Sequence, residues 1–163
     1  MQRVLQWTVG RFSERKLESA RLDAELLLCE VMAWTRVKLY THFDQPLQPT
    51  ELSRYRELIK RRLGGEPVAY LLGRRDFHSI TLQVDARVLI PRPETEHLVD
   101  AVIERAPKGA TVVDVCTGSG AIALAIKRAR PDLIVTAIDL SADALAVAEA
   151  NRAALGLDVR LLH

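Results

Sequence analysis

The run TVVDVCTGSGAIALAI, from Thr111 to Ile126, constrains this chain more than any other stretch. It opens with the β-branched residues of a buried strand and closes with the apolar run of a helix. Between them stand a carboxylate (Asp114), a thiol (Cys116) and a turn of Thr117, Gly118, Ser119 and Gly120. A second strand, LIVTAID, follows the helix and ends in Asp139, 19 positions after Gly120. Strands alternating with amphipathic helices imply a parallel sheet with crossover helices. Such open sheets bind ligands beyond the carboxyl ends of their strands, where glycines let a ligand approach bare backbone at a helix N-terminus. An acid at the end of the second strand commonly receives two ribose hydroxyls.

Two kinds of cofactor carry such a ribose. The segment GSGAIA fits the loose dinucleotide pattern G-x-G-x-x-A. Asp114 would point towards a pyrophosphate and repel it, whereas S-adenosylmethionine presents a sulfonium and an ammonium and has no phosphate. Charge therefore favours the methyl donor. A glycine turn of purely structural use is the bland alternative, and an acid on each side of the glycines counts against it.

The rest of the chain divides in two. From Val4 to about Leu72 apolar residues recur at helical spacing, as in Leu22, Leu26, Leu27 and Val31 or Leu52, Tyr55, Leu58 and Ile59. This predicts a helical bundle over residues 1–74, with Ser19 and Thr50 as caps, a small helix in TRVKLYTHF, and a stop at GGEP. The alternation in FHSITLQVDARVLIP predicts a β-hairpin linker over 75–91. Residues 92–163 then carry the parallel sheet. With 48% hydrophobic and 27% charged residues, 163 residues can bury a real core. No apolar run approaches the roughly 20 residues of a membrane helix, and the charged N-terminus does not read as a signal peptide, so a cytoplasmic protein is expected. Two cysteines support neither a disulfide framework nor a metal cluster, and Cys29 reads as a packed small hydrophobe.

The line VLIPRPETEHLVD, followed by VVDVCTGSGAIALAI and AIDLSADALAVAEANRAALGL, resembles the protein-(glutamine-N5) methyltransferases that modify peptide chain release factors, the HemK or PrmC family. DAELLLCEVMAW and RRLGGEPVAYLLGRRDFHSITLQVD stand in the order of that family's substrate-recognition domain. The resemblance covers essentially the whole chain. It implies an α/β fold in which an N-terminal helical bundle is joined by a hairpin to a truncated class I, Rossmann-like methyltransferase sheet. It implies S-adenosylmethionine as cofactor, bound by Asp114, Cys116, Thr117, Gly118, Ser119, Gly120 and Asp139. It also implies that Arg92 and Glu94, in IPRPETE, shape a loop over the cofactor cleft. The prolines and acids of that segment suit the first turn of a helix on their own, but this leaves Arg92 unexplained.

Cys116 stands where many members have glycine, and ordinary backbone angles are expected there. Nothing pairs its thiol with a histidine, and methyl transfer from a sulfonium needs no covalent intermediate. The family holds its substrate glutamine with an Asn-Pro-Pro-Tyr segment at the end of the fourth strand, and no such sequence occurs in these 163 residues. No catalytic residue is therefore assigned, and the chain by itself is expected to be inactive. The implied partner is a release factor. Other readings stay open: a related amino-methyltransferase acting on a ribosomal-protein glutamine or on nucleic acid, or a non-catalytic module binding protein or RNA. The basic residues Arg54, Lys60, Arg61 and Arg62 are interleaved with Glu51, Glu57 and Glu66 and lack an aromatic platform, so direct nucleic-acid binding is not expected.

Overall fold

Helix α1 (Gln2–Glu14) buries Leu5, Thr8 and Phe12 along one stripe, the spacing of a one-sided helix. In α2 (Ala20–Met32) burial runs almost all round, through Ala24, Leu27, Leu28, Cys29 and Val31. This is the centre of a helical bundle, against which α1, α3 (Arg36–Thr41), α4 (Pro49–Leu63) and α5 (Val68–Leu72) all pack. The computed structural model describes all residues, Met1–His163, and they form two compact units, Met1–Leu72 and Gly73–His163.

The caps of the first unit differ in part from those expected. Ser19 occupies the N-cap of α2, but its hydroxyl accepts no capping bond. Thr50 does not cap α4. Proline is pre-set for the first helical position and takes it as Pro49, which moves the cap to Gln48, whose backbone N–H donates to the Glu51 carboxylate at 2.7 Å. Thr35 caps α3 by accepting from the Lys38 backbone N–H at 3.3 Å. Tyr55, fully buried, donates to the Ala24 carbonyl at 3.0 Å.

Two carboxylates are buried in this bundle with partners of opposite charge, Asp23 beside Arg62 at 2.8 Å and Glu25. Glu25 accepts from Arg21 at 2.9 Å, from Arg36 at 2.7 Å and from the Tyr40 hydroxyl at 2.7 Å. Burial alone would raise its carboxyl, but the bonds from Tyr40, Arg36 and Arg21 outweigh burial and hold it below the usual carboxylate range.

The second unit opens with an antiparallel hairpin, β1 (Arg74–Phe77) and β2 (Ile80–Gln83), closed by His78 and Ser79 so that Phe77 faces Ile80. The expected alternation does not continue as strand to Pro91. Asp85 accepts the Arg87 backbone N–H at 3.0 Å and pairs with its guanidinium at 2.6 Å, a local turn that competes with strand pairing. That arginine pulls the Asp85 carboxyl down to about 2. A 3-10 turn at Pro93–Thr95 then leads into α6 (Glu96–Arg105).

From there strand and helix alternate: β3 (Thr111–Val115), α7 (Ala121–Ala129), β4 (Ile134–Ile138), α8 (Ala142–Leu155) and β5 (Val159–Leu162). The three strands are parallel in the order β3-β4-β5, with Val115 beside Ile138 and Ile138 beside Leu162. Their carboxyl ends are thus level, and everything that follows a strand emerges along one edge. Leu124, Ile126, Leu133, Val135, Ala137, Val147 and Ala148 fill the core of this unit. No helix of the chain is long and apolar enough to cross a membrane.

Candidate functional site

At the level strand ends the turn after β3 is wound tightly. Cys116, Gly118 and Gly120 have φ of 63°, 57° and 82°, all left-handed. Three such residues in alternation forbid a helical start before Ala121, where α7 begins. A Cβ at Gly118 would meet nothing within 4 Å, so the backbone there faces open space.

Asp139, just beyond β4, reaches this turn. One carboxylate oxygen accepts from the Gly118 N–H at 2.8 Å and the other from the Ser141 N–H at 2.9 Å. These bonds from Ser141 and Gly118 hold its carboxyl below the usual range, so it is charged at neutral pH. Each oxygen has a further lone pair for a hydroxyl donor. The expected placement of an acid beside the glycines is thus present in space.

Asp114 behaves differently from the expectation. Its carboxylate does not reach outwards across the turn. It is buried and accepts from the Thr117 hydroxyl at 2.6 Å and from the Ala123 N–H at 3.2 Å, inside the first turn of α7. The reason is local: left-handed Cys116 reverses the chain and leaves the Ala123 N–H, an orphan donor of the helix start, within reach of the strand's last inward side chain. Burial pushes the Asp114 carboxyl up, against the pull of Thr117 and Ala123 and helped by the charge of Asp139.

Four amide donors around the turn are already engaged. Thr117 N–H donates to the Ile138 carbonyl at 3.0 Å, Gly118 N–H to Asp139, Gly120 N–H to the Thr117 carbonyl at 2.9 Å, and Ala123 N–H to Asp114. A pyrophosphate site needs such donors free and an unneutralised helix start. Asp139 and Asp114 stand against this turn and the helix start, so their charge opposes a phosphate there and suits a cation.

Residues 3–73 match the PrmC N-terminal domain and residues 93–163 the methyltransferase small domain. The release factor glutamine methyltransferase of Rhodopirellula baltica is 46% identical over 98% of this chain and 56% of its own length. That of Geobacter sulfurreducens is 40% identical over 100% of the chain and 57% of its own length. That of Neisseria gonorrhoeae is 46% identical over 88% of the chain and 52% of its own length. The chain belongs to the release factor glutamine methyltransferase family. It spans about half the length of the curated relatives it matches.

Within this methyltransferase fold the expected site residues fall into three groups. Thr117, Gly118, Ser119, Gly120 and Asp139 come together at the strand ends, with Asp114 beneath them. Cys116 is exposed and left-handed, which corrects the expectation of ordinary angles: the glycine geometry is kept with a residue that has a Cβ. Arg92 and Glu94 lie at the 3-10 turn before α6, exposed, and neither makes a side-chain hydrogen bond or ion pair with the glycine turn. Two residues were missed. Ser141 contributes its backbone N–H to Asp139, and Asn151 is buried on the inner stripe of α8 after Ala144, Val147 and Ala148, where a polar residue at an apolar position was the available signal.

Cys116 yields a direct test of the backbone. Left-handed geometry costs a non-glycine residue roughly 1–2 kcal/mol, while glycine adds about 0.5–1 kcal/mol of unfolded-chain entropy. Cys116→Gly is therefore expected to stabilise the chain by about 0.5–1 kcal/mol in urea unfolding, and a loss of stability would contradict the left-handed assignment.

Proposed function

We propose that this chain is the part of a release factor glutamine methyltransferase that binds S-adenosylmethionine and docks the release factor, within a cytoplasmic enzyme that methylates the glutamine of the factor's Gly-Gly-Gln segment. The observation that carries the reading is the charged Asp139 carboxylate held against Gly118 at the mouth of the glycine turn. When bound, the cofactor supplies an electrophilic methyl group. Asp139 receives the ribose hydroxyls through its remaining lone pairs. The bare backbone at Gly118 admits the ligand, and a Cβ there would occupy that space. Asp114, buried below, adds negative potential that suits a sulfonium and an ammonium. Cys116 and Ser119 act through backbone, Thr117 through its bond to Asp114, and Arg92 and Glu94 shape the loop over the cleft. The helical unit Met1–Leu72 supplies the docking surface.

An amide nitrogen is a poor nucleophile, so the transfer depends on acceptors that hold it in line with the departing sulfur. No Asn-Pro-Pro-Tyr segment lies within residues 1–163. Incubated with S-adenosylmethionine and a release factor, the chain alone is expected to transfer no methyl group. A chimera carrying the downstream half of the Rhodopirellula baltica relative is expected to add one methyl to the Gly-Gly-Gln glutamine, read by mass spectrometry of that peptide. Transfer by residues 1–163 alone, or methylation by the chimera at another residue only, overturns the proposal.

A further inference from the structure

Asn151 is 1% exposed, on the face of α8 that otherwise carries alanine and valine. Its carboxamide is bonded on every side. The oxygen accepts from the Gln83 N–H at 2.7 Å, and the nitrogen donates to the Gln83 carbonyl at 3.0 Å and to the Ser119 carbonyl at 2.9 Å. Both amide hydrogens are used, which fixes the orientation of the group. Towards the hairpin it pairs with Gln83 as the peptide of a neighbouring strand would. Towards the turn it holds the carbonyl of Ser119, the residue between the two left-handed glycines.

We propose that Asn151 is a positioning residue that locks the glycine turn to the end of the hairpin and so sets the backbone that receives the cofactor. The proposal rests on the reading of Gly118 to Gly120 as the cofactor turn. Glycine is conformationally permissive, so Gly118 and Gly120 need external tethers to keep one conformation. The Ser119–Gly120 peptide has two. Its N–H donates to the Thr117 carbonyl and its carbonyl accepts from Asn151. Gln83 stands at the end of β2, immediately before the segment that runs to Arg92 and Glu94, so the same carboxamide also fixes where that segment departs. No other side chain satisfies this set. Aspartate would set lone pairs against two carbonyls, leucine would leave a buried N–H and two carbonyls unpaired, and glutamine is a methylene too long for a site already filled.

Hydrogen exchange on the 163-residue chain, corrected for intrinsic rates, tests this with and without S-adenosylhomocysteine. In Asn151→Asp and Asn151→Leu the Gly118 and Gly120 amides are expected to exchange about tenfold faster, the equivalent of one lost hydrogen bond, while Val135 and Ala137 in β4 keep their rates. Protonation restores one donor, so lowering the pH through the titration of the new carboxyl is expected to reverse the defect in Asn151→Asp and not in Asn151→Leu. A packing role would show no such reversal. In the unliganded wild-type chain Gln83 and Gly120 are expected to show equal protection to within about twofold, because one tether opens both. Added S-adenosylhomocysteine is expected to slow exchange at Gln83 together with the turn, since coupling between two sites is reciprocal. Unaltered turn amides in folded variants, or Gln83 opening about tenfold more readily than Gly120 in the wild type, overturns the proposal. If the ligand protects neither the turn nor Gln83, the cofactor reading fails, and the unliganded wild-type comparison still decides the role of Asn151.

Discussion

Asp139→Ala is expected to weaken S-adenosylhomocysteine binding to this chain by about 10- to 100-fold, within the roughly 1–3 kcal/mol of charge-assisted hydrogen bonds. Two losses combine. The ribose hydroxyls lose an ionised acceptor, and the Gly118 and Ser141 amides lose the carboxylate that holds both loops together. Asp139→Asn separates the two, since its one carbonyl oxygen can accept from Gly118 or from Ser141 but no longer carries charge. Its affinity is expected to fall between the wild type and alanine. Isothermal calorimetry reads all three. Unchanged affinity in a folded Asp139→Ala chain would remove this residue from the site, and binding of NADH without binding of S-adenosylhomocysteine would overturn the cofactor assignment.

Gly120→Val is expected to be the most damaging single change in the turn. At φ of 82° a β-branched residue is strained, and a Cβ there would lie 2.9 Å from Leu124 Cδ1 and 3.4 Å from the Ala148 Cβ. Leu124 is 1% exposed, so any shift of its side chain is passed on to the packed core. Backbone strain of about 1–2 kcal/mol and overpacking of about 1–3 kcal/mol sum to roughly 2–5 kcal/mol against the second unit. Gly118→Ala is the control. It has the same handedness but open space, so only the backbone cost of about 1–2 kcal/mol applies. Hydrogen exchange at Val135 and Ala137, buried in β4, measures the loss in both variants. Equal destabilisation by the two substitutions would show that the contact with Leu124 carries no weight.

How much of this was legible in the sequence depends on the range over which each feature is determined. The helices of the first unit and the strand-turn-helix order of the second follow from periodicity, because helix and strand formation is decided within a few residues. The glycine turn and the acid 19 residues beyond it were legible for the same reason: one crossover helix of ordinary length fixes their separation. Local competition set the limits of that reading. Pro49 displaced the cap from Thr50 to Gln48, and the Asp85 turn ended the alternation that otherwise predicted strand as far as Pro91.

Other features were settled only by the tertiary fold. Cys116 takes a left-handed angle that its own side chain disfavours, because the reversal from β3 into α7 must occur within five residues. Asp114 turns inward because helix α7 presents an unpaired N–H that only the folded turn brings near. Glu25 is ionised in a buried setting because Arg36 and Tyr40, 11 and 15 residues away, close over it. Asn151 joins partners 32 and 68 residues distant, and no periodicity encodes such a pairing. The sequence by itself determined which elements form and where the glycines and acids stand along them, since those follow from short-range sterics and hydrophobic spacing. The tertiary structure decided which polar groups meet, because burying a donor or acceptor is tolerated only where the packed chain supplies its complement.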